Sequence, residues 1–250
     1  MQMRQLHLKV LTFLIWPTMV ATSVIITPVF LLVWICTFWW DKRRVVTHFM
    51  GTFWAWHYQS LVPQWKLSLE GREKIPWNRT VVLVSNHRSQ VDILALYKLR
   101  RPFKWTSKAE NFKLPFVGMV LSLTNSIKIR RGSIRSGSAF ISQAEAALKK
   151  GSSILLFPEG TRAKTNTMRP FKEGAFLLAK RTGSPIIPIV ITGSENTFPL
   201  GSLVLIGNAR IRIRVLDEIP AETVTGMEVK ALMELVRKRM EEELKQLEML

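Results

Sequence analysis

Thr80-Val81-Val82-Leu83-Val84-Ser85-Asn86-His87 is the stretch on which the fold turns. Its apolar residues run without alternation for the length of a strand and then give way abruptly to polar ones. Such a run suits a strand covered on both faces, as in a parallel sheet packed between helices. Ile154-Leu155-Leu156-Phe157 has the same character. Working outward, the pattern predicts strands at Lys66–Leu69, Thr80–Ser85, Lys104–Thr106, Ser126–Ile129, Ser153–Phe157, Ile186–Ile191, Leu203–Ile206 and Arg210–Leu216. Helical spacing falls near 89–98, 113–123, 134–150, 172–182 and 226–248. Strands interleaved with helices imply an α/β fold with a mostly parallel central sheet flanked by helices. In such sheets ligands gather at the carboxyl ends of the strands.

The 250 residues suit one catalytic domain with a modest appendage, and 47% hydrophobic content excludes a disordered chain. Lys and Arg number 36 against 18 Asp and Glu, and the net charge of +18 points to a polyanionic partner, nucleic acid or an anionic membrane. Of that charge, +16 lies in residues 63–220. The single cysteine, Cys36, excludes an internal disulfide and a cysteine-based zinc site.

Residues 1–62 read as a membrane-associated segment and 63–250 as the α/β domain. From Val10 to Trp40 there are 31 residues without a formal charge. As a helix they would extend about 46 Å, against roughly 30 Å of bilayer hydrocarbon. Pro17 and Pro28 each predict a kink or break. Trp16, Trp34, Trp39 and Trp40 lie near the two ends, where amphipathic rings favour the lipid–water boundary. Arg4 and Lys9 precede the stretch, and Lys42, Arg43 and Arg44 follow it. Cationic flanks on both sides suit a helical hairpin embedded in one leaflet and returning to the cytoplasmic side. Residues 45–61 are less apolar and suit an interfacial helix; a pair of buried core helices is the alternative.

His87 is the only histidine of the α/β portion, since His7, His48 and His57 fall in the N-terminal segment. It stands where a buried strand ends. A histidine near neutral pKa is a natural general base. Asp92, in the first turn of the next helix, could fold back to hold one ring nitrogen and leave the other free for a proton. That is the base-and-orienter half of a catalytic triad, with the nucleophilic hydroxyl supplied by the substrate. Ser89-x-x-Asp92 also resembles a capping box, so these residues alone leave chemistry and plain helix capping open.

A second cluster, Phe157-Pro158-Glu159-Gly160-Thr161-Arg162, follows the other apolar strand. Gly160 permits a tight turn whose N–H groups could face an anion, Thr161 adds a hydroxyl and Arg162 a planar fork for phosphate oxygens. Glu159 would repel an anion; it fits better as an acceptor for ligand hydroxyls or as a support for the arginine. An ordinary turn with a surface arginine is the plainer alternative.

Together, Asn86-His87 with Asp92 resembles the NHx4D motif, and Phe157 to Arg162 the FPEGTR motif, of the glycerolipid acyltransferases, in particular the 1-acyl-sn-glycerol-3-phosphate acyltransferases. The resemblance spans residues 65–195. It implies that Ile127-Lys128-Ile129-Arg130-Arg131 is the block ending in a substrate-contacting arginine. Arg131 takes that place on the register of the hydrophobics, and Arg130 competes because it stands where relatives carry an acid. Pro185-Ile186-Ile187-Pro188-Ile189 resembles the fourth block with Pro188 central, and Lys108-Ala109-Glu110 the approach to the second.

The implied reaction moves an acyl chain from acyl-carrier protein or acyl-CoA to the sn-2 hydroxyl of lysophosphatidate, giving phosphatidate. His87 would act as general base and Asp92 as its orienter, with no acyl-enzyme. Asn86, Lys108, Arg130, Arg131, Glu159, Gly160, Thr161, Arg162 and Pro188 would serve substrate binding. The resemblance implies no metal and no cofactor beyond the acyl donor. It implies a place on the inner, cytoplasmic membrane with the catalytic domain facing the cytoplasm, beside anionic phospholipid. Another lysolipid acceptor would fit the same motifs. A nucleic-acid-binding protein would place aromatics among the basic residues of the body, whereas here Trp is concentrated in residues 16–77. An inactive membrane scaffold would be indifferent to the loss of His87.

Overall fold

The computed structural model describes residues 2–130, 134–163, 167–198, 204 and 208–249. Two helices lead, α1 (Gln2–Thr37) and α2 (Val45–Ser60). The sheet strands are β1 (Trp65–Glu70), β2 (Val82–Ser85), β3 (Phe103–Lys108), β4 (Ile127–Ile129), β5 (Ser153–Leu156), β6 (Ile186–Thr192) and β7 (Ala209–Val215). Between and after them run α3 (Val91–Leu96), α4 (Val117–Leu123), α5 (Ile134–Lys149), α6 (Gly174–Thr182), α7 (Ala221–Gly226) and α8 (Val229–Glu248). The expected strand at Leu203–Ile206 lies, Val204 apart, outside the described residues.

The strands form one sheet in the order β1-β7-β6-β2-β5-β3-β4. Every pairing is parallel except β6 with β7. The apolar run of β2 explains its central place. Val82 and Val84 join Ile154 and Leu156 under α5, α6 and α8, while Val81 and Leu83 join Leu155, Ile187 and Ile189 on the opposite face. Both faces are therefore dry, and a strand with alternating polarity could not occupy that position. Strand β7 alternates buried and outward residues, and Arg214 on its outward side pairs with Glu70 and Glu243.

Pro17 and Pro28 lie inside α1 without interrupting it. Each removes one ladder hydrogen bond, a local cost that a 36-residue helix absorbs. The chain reverses after the apolar stretch, at residues 38–44, where Asp41 Oδ1 and Oδ2 accept the N–H groups of Val45 (2.7 Å) and Val46 (2.9 Å). Helix α2 then runs back along α1, with the Tyr58 hydroxyl bonded to Ser23 and to the Met19 carbonyl. Sequence composition suggested an interfacial helix for 45–61, and α2 divides its sides. It buries His48, Gly51, Trp54 and Ala55 and presents Phe53 and Trp56 outward. Gly51 is required by that packing, because a Cβ there would lie 2.9 Å from the Tyr97 hydroxyl.

Candidate active site

Four neighbouring parallel strands, β2-β5-β3-β4, bring their carboxyl ends to one edge of the sheet. Asn86 to Asp92 follow β2, Phe157 to Arg162 follow β5, Lys108 ends β3 and Arg130 follows β4. At about 4.8 Å per strand, the four segments span roughly 14 Å. The topology thus collects on one edge groups that the sequence spreads over more than seventy residues.

His87 Nδ1 lies 2.8 Å from Asp92 Oδ2. That same oxygen accepts the N–H groups of Arg88 (2.7 Å) and Ser89 (2.9 Å). Asp92 therefore caps its turn and holds the imidazole with one and the same oxygen. The Asp92 side chain is fully buried, whereas that of His87 is 15% exposed. With Nδ1–H donated to the carboxylate, Nε2 is the acceptor nitrogen, and it has no hydrogen-bond partner among the described residues. The imidazole stacks on Phe157, centroids 4.1 Å apart and planes 16° from parallel. Phe157 in turn stacks against Trp105 of β3.

The main chain of His87 is held at both ends by the loop after β5. Its N–H donates to Glu159 Oε1 at 2.9 Å, and its carbonyl accepts the N–H of Ala163 at 2.8 Å. Glu159 Oε2 accepts the N–H of Arg169 at 2.9 Å. Glu159 is thus a buried brace joining the two motifs, and neither oxygen is offered to a ligand hydroxyl or to Arg162. Burial pushes its carboxyl above the usual range, against the pull of the two N–H bonds. Asn86 is committed to the sheet in the same way: Nδ2 donates to the Ile191 carbonyl and Oδ1 accepts the Ile191 N–H, both at 2.8 Å. Pro188 is buried within β6 beside Val84 of β2, away from the edge. It tolerates its missing N–H where antiparallel pairing with β7 is only beginning, at Ile189.

Gly160 forms the expected tight turn at φ +68°, but its N–H is used inside the turn, donating to the Phe157 carbonyl at 3.0 Å. The side chains of half-buried Thr161 and Arg162 make no hydrogen bond or ion pair with a described residue, and the same holds for the side chains of exposed Lys108 and Arg130. Arg131 lies outside the described residues. Three cations at the strand ends are therefore uncommitted. Arg88, Arg214 and Lys74, by contrast, are tied up in ion pairs.

Phe157 as a platform for the imidazole and Arg169 as the main-chain partner of Glu159 were missing from the sequence reading. A bulky aromatic directly after an apolar strand was a usable signal for the first. The second depends on contact across a loop and left no mark in the sequence.

Comparison with known proteins places these features. The acyltransferase family profile matches residues 66–192, which include both motifs, and the chain belongs to that family. Among curated proteins, it is 33% identical to a 1-acyl-sn-glycerol-3-phosphate acyltransferase of Chlamydomonas reinhardtii over 85% of this chain and 64% of that protein. It is 36% identical to a chloroplastic enzyme of the same name from Arabidopsis thaliana over 68% of this chain and 48% of that one. The chain thus spans between about half and just under two thirds of the length of these relatives. The crystal structure of a 1-acyl-sn-glycerophosphate acyltransferase from Thermotoga maritima shares the fold with a TM-score of 0.79 at 20% identity, covering 99% of this chain and 97% of the other.

Proposed function

We propose that this protein transfers an acyl chain from a thioester donor, acyl-carrier protein or acyl-CoA, to the sn-2 hydroxyl of lysophosphatidate. The observation that carries the reading is the 2.8 Å bond between His87 Nδ1 and Asp92 Oδ2, at a strand edge where, among the described residues, the opposite nitrogen and the cations Lys108, Arg130 and Arg162 have no side-chain partner. Nε2 takes the hydroxyl proton as the oxygen attacks the thioester carbonyl. That attack forms the new C–O bond; collapse of the tetrahedral intermediate restores the carbonyl, breaks the C–S bond and delivers the proton from the imidazolium to the departing thiolate. Asp92 keeps the ring in the required tautomer and stabilises the imidazolium. Arg162, Lys108 and Arg130, with Arg131, hold the phosphate monoester. The step requires no metal and no prosthetic group. The names of the curated relatives support lysophosphatidate as acceptor.

Helix α1 carries the protein to its substrate. Thr12–Thr37 is long and apolar enough to cross a membrane. With α2 doubled back along it and Lys42, Arg43 and Arg44 at the turn, the pair embeds in one leaflet of the cytoplasmic membrane with the α/β body facing the cytoplasm. Purified protein in anionic vesicles, given lysophosphatidate and acyl donor, yields phosphatidate, and the His87→Ala protein does not. Equal product from both overturns the mechanism. Turnover of another lysolipid, with lysophosphatidate ignored, would replace the acceptor and leave the catalytic pair standing.

A further inference from the structure

The residue after the candidate base is an arginine whose side chain points away from the site. The Arg88 side chain is 3% exposed. Its Nη1 donates to Thr192 Oγ1 at 3.0 Å, at the end of β6, and to Glu248 Oε1 at 2.7 Å, the last residue of α8. Glu195 Oε1 is farther, at 3.4 Å. A buried guanidinium is stable only when its charge is matched, and among the described residues the shortest carboxylate contact comes from one 160 positions downstream. Meanwhile the Arg88 N–H donates to Asp92 Oδ2, the oxygen that holds the imidazole. The side chain of Arg88 thus faces the C-terminal helix while its backbone belongs to the catalytic turn.

The last turn of a terminal helix ordinarily frays. Here it is seated. Val236, Met240, Leu244 and Leu247 bury one stripe of α8 in the core, and Arg212 Nη1 donates to the Leu247 carbonyl at 3.3 Å. Two arginines therefore meet the negative end of the helix dipole, which favours cations there. No ligand chemistry is needed to explain the contact, and it reaches the turn of His87 and Asp92 through the Arg88 backbone.

We propose that the end of α8 positions the His87–Asp92 pair through Arg88, with Glu248 as the counter-charge that fixes Arg88. Arg88 is a positioning residue: it touches no substrate. The proposal rests on the reading of His87 as general base.

The test uses the full-length protein with Glu248→Gln, Glu248→Ala, Arg88→Ala and the Arg88→Ala/Glu248→Ala double variant. Because Glu248 is partly exposed, its variants keep the question open to experiment should Arg88→Ala fail to fold. Glu248→Ala lowers kcat about tenfold with KM for lysophosphatidate within about twofold, since slight misplacement of a reacting group is costly. Glu248→Gln, which keeps a hydrogen bond and loses the charge, falls between it and wild type. The double variant is no slower than Arg88→Ala. Proton NMR of the imidazole supplies a readout independent of turnover: the His87 Nδ1–H signal, held downfield by Asp92, moves upfield or broadens in Glu248→Ala at a temperature well below that variant's own thermal midpoint. An unaltered signal and kcat in Glu248→Ala, a loss confined to KM, or additive effects in the double variant overturns the proposal. If neither wild type nor any variant acylates lysophosphatidate, the functional reading fails separately, and the NMR signal still decides whether α8 positions the pair.

Discussion

The N-terminal helices and the α/β body obey opposite rules. In the body, Leu83, Leu155, Ile187 and Phe176 are fully buried and the cations Arg88 and Arg214 are paired. Along α1, α2 and the turn between them, Phe13, Ile25, Leu32, Trp39 and Trp56 are 76%, 68%, 60%, 63% and 56% exposed. An apolar surface of that extent has no place in water. On the proposed function the difference teaches a division of labour, with location in the helices and chemistry in the body. Variants of each region should therefore fail in different assays.

The largest effect belongs to the body. His87→Ala lowers phosphatidate formation by about 10³-fold or more, since both general base catalysis and alignment of the attacking hydroxyl are lost. Its partition into anionic vesicles stays at the wild-type level, which sharpens the contrast; a parallel loss of vesicle binding would break it. Asp92→Asn follows, with activity down about 10²-fold, because an amide no longer fixes the productive tautomer. That loss is read in kcat.

How the two regions were legible differs as well. The central strand, the α/β class and the His87–Asp92 pair could be read because their causes are local: an uninterrupted apolar run, and a carboxylate five residues from an imidazole. For Glu159, Asn86 and Arg88 the side-chain partners could not be read. Their partners are the backbone of His87, the backbone of Ile191 and the carboxylate of Glu248, which lie 72, 105 and 160 residues away. The motif residues Asn86 and Glu159 thus spend their side-chain polar atoms on the chain itself. In the N-terminal segment, composition revealed the apolar length of α1 and missed its continuity, because a proline's local cost says nothing of the helix on either side.

A smaller effect tests the helices. Trp39→Ser with Trp40→Ser weakens partition into anionic vesicles by about tenfold to a hundredfold, as expected for withdrawing two large rings from an interface. On lysophosphatidate dispersed in detergent, kcat is unchanged. Vesicle flotation and the detergent assay together give the mirror image of His87→Ala; a drop in the detergent kcat would show that the helices share in the chemistry.

The seam between the regions carries the smallest effect. Lys104, on β3, is buried, and its Nζ donates to the carbonyls of Arg43 (2.9 Å) and Thr124 (2.6 Å). Burial, with Arg44 adding repulsion, brings its ammonium down to about 8. Below that value both folded and unfolded chains carry the proton, and the cost of burying the charge is constant. Between about 8 and the ordinary 10.5 the unfolded chain holds the proton longer, so stability rises with pH across that window. The slope from this group cannot exceed about 1.4 kcal/mol per pH unit. Denaturant melts of wild type and Lys104→Met between pH 7 and 10.5 isolate it, since other titrations are common to both proteins. The wild type gains stability relative to the variant as the pH rises. A constant difference between the two would mean that the lysine keeps its ordinary proton affinity, and that the joint between the N-terminal helices and the α/β body is wetter than its packing indicates.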